Sequence, residues 1–225
     1  MARPKKVTAE PEDMTGNIQI TPINLQVVAI PIMGIAPYVQ HKFSEKAKKK
    51  IEDTHKAGGT AKSKKTREPR NFDEEYEAAT HKDEEGRFGI PCAAFRTACV
   101  DACRATGMMM TRLKIALFVE PDAFDVGDAT PLVHIHGVRE CYQASVRNES
   151  GVVDLRARPM WRKWHAIVRV RFDAGMITAS DVVNLLDRAG QQIGVGEGRP
   201  FSKKSCGTGF GVFKVVNAED LPIEG

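Results

Sequence analysis

At 225 residues with 42% hydrophobic content, the chain is long enough to bury one sizeable core and fits one domain with insertions. Its formal net charge of +4 is too small for overall basicity to define a partner, and no run approaches the length of a membrane span, which excludes a helical membrane protein. Five cysteines behind a start, "MARPKK", that no apolar run follows predict free thiols in a bacterial cytoplasm and no disulfide scaffold.

Residues 1–16 are polar and proline-bearing and are expected to form a flexible tail ahead of a single domain, 17–225. "INLQVVAIPIMG" (Ile23–Gly34) is apolar and β-branched and reads as a buried strand. The composition then changes. Between His41 and Arg70 there are eleven Lys or Arg against four Asp or Glu, a local +7 that exceeds the charge of the whole chain. A segment so poor in large apolar groups cannot offset its ordering entropy. We therefore expect 41–72 to be a mobile basic insertion, helical near Ser44 to Asp53, with "NFDEEYEAATHKDEEGR" following as a short acidic helix and a turn.

"GIPCAAFRTACVDACR" follows. Pro91 suits a first helical turn, and Cys92, Phe95, Cys99 and Ala102 recur on one helical face, with Cys103 beside them. A structural zinc site wants a C-x-x-C knuckle and four ligands, and neither is present, so these cysteines are expected to be packed scaffold. Strands are predicted at Leu113–Val119 and Pro131–Gly137. The second contains His134 and His136 on one face, a metal-capable pair that lacks a third ligand. Val138 to Lys163 is expected to form a projecting hairpin, followed by a half-buried strand, "WHAIVRVRF" (Trp164–Phe172). "ITASDVVNLLDRAG" predicts a helix capped by Thr178, striped by Val182, Leu185, Leu186 and Ala189, and stopped at Gly190. Phe210–Val216 is the last predicted strand. Without its insertions the order is that of an α+β, ferredoxin-like (RRM-like) βαββαβ core.

Two stretches carry candidate chemistry. The loop "GVGEGRPFSKKSCGTGFG" (Gly194–Gly211) has six glycines and the cations Arg199, Lys203 and Lys204. Backbone without side chains approaches a phosphate closely, so Gly196, Gly198, Gly207 and Gly209 join those cations as expected phosphate contacts. It is not a P-loop, because it lacks the G-K-S/T ending and follows a helix. The second stretch, "DLRARPMWRKWH" (Asp154–His165), interleaves Arg156, Arg158, Arg162 and Lys163 with Trp161 and Trp164. Cations that hold a backbone and a ring that stacks on bases are what single-stranded nucleic acid binding uses. Trp161 is the expected stacking ring and Trp164 a core residue. No motif asks for a cofactor or a metal.

The glycine loop with its final strand, "GVGEGRP…GTGFGVFKV", resembles that of the RAMP superfamily of ferredoxin-like RNA-binding proteins. "GIPCAAFRTACVDA" is similar to the segment that begins the first helix in the repeated backbone subunit of CRISPR effector complexes. From "HKFSEKAKKK" through "DLRARPMW" to "GVGEGRP", the chain also resembles an uncharacterised phage and prophage family with no established activity. The RAMP resemblance implies a hand-shaped protomer with 138–163 as its thumb. Protomers would stack head to tail as a filament along single-stranded RNA or DNA, with Arg96 on the first helix facing the strand. It implies a binder and no enzyme. No guide-processing histidine can be matched, and Asp154 is the one position that could stand for the acidic residue with which some members cut RNA. An assembly protein that oligomerises without nucleic acid and a metal-dependent nuclease remain the alternatives.

Overall fold

The computed structural model describes residues 20–43, 45–56, 71–147, 153–202, 205 and 207–222. The expected tail 1–16 and residues 57–70 of the basic stretch lie outside the described residues, as do Lys203 and Lys204.

In chain order the elements are β1 (Leu25–Gly34), β2 (Tyr38–Val39), α1 (Glu45–Lys56), α2 (Phe72–Ala78), β3 (Gly89–Pro91), α3 (Cys92–Ala102), α4 (Met110–Ala116), β4 (Leu117–Glu120), β5 (Ala123–Phe124), β6 (Pro131–His134), β7 (Arg139–Arg147), β8 (Val153–Trp161), β9 (His165–Asp173), α5 (Ala179–Gln192) and β10 (Phe213–Val215). The architecture is α+β with three antiparallel sheets. The largest runs β10-β1-β9-β4, with Val28 opposite Val170, Val119 opposite Val170 from the other side, and Met33 opposite Lys214. Numbered as the first to fourth strand of that sheet, they stand in the order 4-1-3-2, and α3 and α5 lie between first and second and between third and fourth.

Period-2 alternation explains one face of this sheet. Ile30 and Ile32 on β1 and Ala166, Val168, Val170 and Phe172 on β9 are buried, while their neighbours point outward. Helix α3 brings Phe95, Ala98, Cys99 and Ala102 into the same core, and α5 brings Val182, Leu185, Leu186 and Ala189. The cysteines are scaffold as expected: Cys92, Cys99 and Cys103 are buried, and burial pushes the Cys99 thiol up to about 12.

Two smaller sheets complete the molecule. β2-β8-β7 contains the hairpin expected within 138–163, with Arg139 opposite Trp161 and Tyr142 opposite Arg158. β3-β6-β5 ties the start of α3 to the segment before the hairpin. Among the described residues no helix is long and apolar enough to cross a membrane.

Three local expectations change. Residues 113–119 are not one strand: α4 runs to Ala116 because Leu113 and Ala116 bury one helical side while Arg112, Lys114 and Ile115 face out. A short apolar run is ambiguous between the two periods. Helix α5 does not stop at Gly190. That glycine is a packing contact, its absent Cβ falling 2.4 Å from the Phe213 carbonyl, and the helix runs to Gln192 and is closed by Gly194, whose φ of +71° lets its N–H reach the Ala189 carbonyl. Pro91 stands just before the helix, as the last residue of β3.

Candidate nucleic-acid interface

The chain between β1 and α1 builds one wall of a cleft of about 410 Å3. Tyr38 and Val39 pair with Trp161 and Met160 of β8, which fixes where Gln40, His41 and Lys42 project. The glycine loop builds the other wall. It hangs on the same segment: the Gly211 N–H donates to the Pro37 carbonyl at 2.7 Å, and the Glu197 N–H donates to the Val39 carbonyl at 2.9 Å. Tyr38, Gln40, His41 and His81 thus face Gly196, Glu197, Gly198 and Arg199 across the cleft, with Ser202 and Ser205 beside them.

The loop backbone alternates in sign. Gly194, Gly196 and Gly198 have φ of +71°, +82° and +75°, while Val195 and Glu197 between them are not positive. Backbone of alternating sign leaves N–H groups available to seat an anion. Gly194 and Val195 spend their N–H groups on Ala189 and Gly211. Those of Gly196, Gly198 and Arg199 have no acceptor among the described residues. The Arg199 guanidinium donates to the Gly196 carbonyl at 3.0 Å and so stays beside the seat.

The hairpin supplies further charge. Arg158 of β8 is buried, and its Nε donates to the Glu197 carboxylate at 2.9 Å. His41 Nδ1 lies 3.9 Å from the same carboxylate. Burial and then the charges of Arg158 and Arg156 hold His41 below its ordinary range, against the pull of Glu197. Tyr142 of β7 meets Phe210 edge-on at 6.0 Å. The two basic stretches, about forty residues apart in the chain, therefore converge on one cleft where Glu197 is the lining carboxylate.

Behind the cleft lies a polar network. The Asp125 carboxylate accepts from Lys42 Nζ at 2.5 Å, from the N–H of Gly127 at 2.7 Å and from His81 Nδ1 at 2.8 Å. Burial alone would raise its pKa, but Lys42, Gly127 and His81 together hold it near 2. Gln40 is spent within the wall: its Oε1 accepts the His81 N–H at 2.7 Å and its Nε2 donates to the Gly89 carbonyl at 2.7 Å. His81, Asp125 and Asp128 are close enough together to hold a metal ion, but Asp125 already carries the Lys42 ammonium, so a cation would have to displace that ion pair.

Other expected site residues fall elsewhere. Trp161 is fully buried against Tyr38 and Phe88, with ring centroids 5.6 and 5.8 Å away, so it is a core residue and offers no face to a base. Arg96 does not face the cleft. Its Nε donates to the Leu117 carbonyl at 3.0 Å, a second nitrogen donates to Lys114, and its guanidinium lies over the Phe118 ring, so it serves the C-terminal end of α4. Arg162 is exposed and paired with Glu140 at 2.7 Å, and Lys163 is exposed at the turn into β9. Gly207 and Gly209 are on the open side of the loop, where a Cβ would meet next to nothing. The His134–His136 pair separates: His134 Nε2 bonds Asp83 at 3.0 Å, and His136 stacks on His165. Asp154 stands in β8 opposite Val146.

His41, Lys42, His81 and Asp125 were missed. They come from three distant segments, none with a local motif, and two of them sat at the head of what reads as a mobile insertion.

No family model matches the chain, and no curated protein does. Among solved structures, the crystal structure of Cmr6 from Pyrococcus furiosus is similar over 87% of this chain and 100% of its own, at 12% identity and a TM-score of 0.40. That likeness is loose and carries no argument about the cleft.

Proposed function

We propose that this chain is a non-catalytic binder of single-stranded nucleic acid, with the strand's phosphates on the glycine loop and the arginines of β8 beside them. The observation that carries the reading is the glycine loop itself: three backbone N–H groups without acceptors among the described residues, at Gly196, Gly198 and Arg199, all of which line the cleft, with Arg158 bound to Glu197 beside them. Contacts of this kind hold a nucleic-acid backbone without reading its sequence.

The 4-1-3-2 strand order with two helices on one face supports a ferredoxin-like core. On that reading the chain is one domain from residue 17, the β7–β8 hairpin is the thumb, and copies stack head to tail along the strand. The resemblance to CRISPR backbone subunits supports the stacking, and the phage resemblance supports a mobile-element setting.

The test is anisotropy of a labelled single-stranded oligonucleotide between about 50 and 200 mM salt. Affinity should fall steeply, and Arg199→Ala or Arg156→Ala should each lower it and reduce the log–log salt slope by about 0.7. Salt-independent affinity, or binding indifferent to Arg199→Ala, overturns the reading.

A further inference from the structure

His81 lines the same cleft as the phosphate seat and is 7% exposed. Its two ring nitrogens have different fates. Nδ1 meets Asp125 at 2.8 Å, and Asp125 is an ionised carboxylate that can only accept, so the proton sits on Nδ1. Nε2 then presents a lone pair, and it has no partner among the described residues. Lys42 already neutralises Asp125, so His81 need not be charged to keep this bond. The wall opposite the seat therefore holds one oriented hydrogen-bond acceptor.

Resting on the strand-binding reading above, we propose that His81 Nε2 accepts a hydrogen bond from a ribose 2′-hydroxyl, so that the cleft prefers RNA to DNA. The sugar is the part of a nucleotide next to its phosphate, and its hydroxyl is the one backbone group of RNA that can donate. An acceptor beside a sequence-independent phosphate seat suits a donor that every ribonucleotide carries. A buried acceptor left facing a 2′-hydrogen forfeits that bond, and this is the source of the discrimination. Asp125 is a positioning residue, acting through the tautomer it imposes.

Burial holds His81 below its ordinary pKa, with Asp125 opposing and Lys42 assisting the shift. The neutral, accepting form is thus the one present near neutrality. The charged or titratable groups around it are Lys42, Asp125 and Asp128 behind the ring, His41 on the same wall, and Glu197 and Arg199 across the cleft. Acidification protonates Nε2 and turns it into a donor. It also charges His41, which strengthens binding of either polymer, so the RNA-to-DNA ratio is the quantity to read.

The experiment measures affinity of the full chain for one sequence made as RNA, DNA, 2′-fluoro and 2′-O-methyl strands. RNA should bind about tenfold more tightly than the other three, none of which has a 2′ donor. His81→Ala should erase the difference, leaving RNA and DNA with equal affinity. Asp125→Asn, which can donate to Nδ1 and so move the ring proton to Nε2, should also erase the preference. In the wild type the preference should shrink on acidification. Equal affinity for RNA and DNA, a preference that survives His81→Ala, or a preference for adenine and cytosine in both polymers would each overturn the assignment. Binding of no strand at all would instead overturn the strand-binding reading, and this one with it.

Discussion

Six glycines in one loop look interchangeable as letters, yet their surroundings divide them. Gly211 has φ of +68°, and a Cβ there would stand 1.7 Å from the Val195 carbonyl oxygen, whose residue also donates to Gly211. Gly209 has φ of +82° and nothing within 4 Å of the same added atom. Gly211→Ala should therefore cost more than about 3 kcal/mol, combining backbone strain with a clash between two loop segments that are hydrogen-bonded to each other. Gly209→Ala should cost about 1–2 kcal/mol, the strain alone. Denaturant midpoints of the two variants check this, and equal losses would refute the distinction. The same scale decides Trp161. Alternating Arg and Trp was a reasonable signal for stacking on bases, but the register that sets Trp161 opposite Tyr38 turns its ring into the core.

At the scale of elements, the cleft exists because β8 and the glycine loop share a partner in the segment around β2. Pairing of β8 with Tyr38 and Val39 brings Arg158 to Glu197, and the loop's bonds to Pro37 and Val39 hold the seat against that wall. Glu197 opposes a phosphate while partnering Arg158. Glu197→Gln keeps an acceptor for Arg158 but removes the charge. Strand affinity should rise about threefold to tenfold with a steeper salt dependence, while the free protein loses about 1 kcal/mol. Titration and thermal unfolding read the two effects separately. A fall in affinity would mean that Glu197 chiefly positions Arg158. The helix α4 is the element least visible in advance. Its apolar residues run without a break into those of β4, but Arg96 completes its C-terminal carbonyls and Leu113 and Ala116 reach the core only at helical spacing.

At the scale of the molecule, two carboxylates set the acid limit. The folded-state pKa of Asp125 lies near 2, below its ordinary 3.8, and that of Asp83 is also depressed, burial being outweighed by Arg87 and His134. A depressed pKa contributes stability that is full above the ordinary value and lost as pH falls toward the folded one. Denaturant midpoints should thus decline gently below about pH 6.5, where the depressed His41 and His81 stay neutral while the unfolded chain takes up protons, and drop more steeply below about pH 4, and Asp125→Asn should flatten part of the steeper drop. A midpoint unchanged at about pH 3 would contradict the paired network. If copies stack along a strand, the purified protein should elute as a large species rich in nucleic acid that shrinks on nuclease treatment. A large species without nucleic acid would favour assembly by protein contacts alone.

Much of the secondary structure was legible in the residues: β1, β9, the capped helix α5, the cysteine-bearing α3 and the hairpin all follow from period and turn chemistry, which are local properties. The two basic stretches were legible too, as concentrations of charge and glycine. What only the tertiary structure decided was which of these meet. Arg158 reaches the glycine loop and Arg96 does not; Lys42, at the head of a lysine-rich run, belongs to a buried network, while His41 beside it meets Glu197; and His81 and Asp125 join across 44 residues. None of those pairings has a periodicity or spacing to announce it. They arise because strand register brings distant segments to one place, where burial leaves each polar group needing a partner.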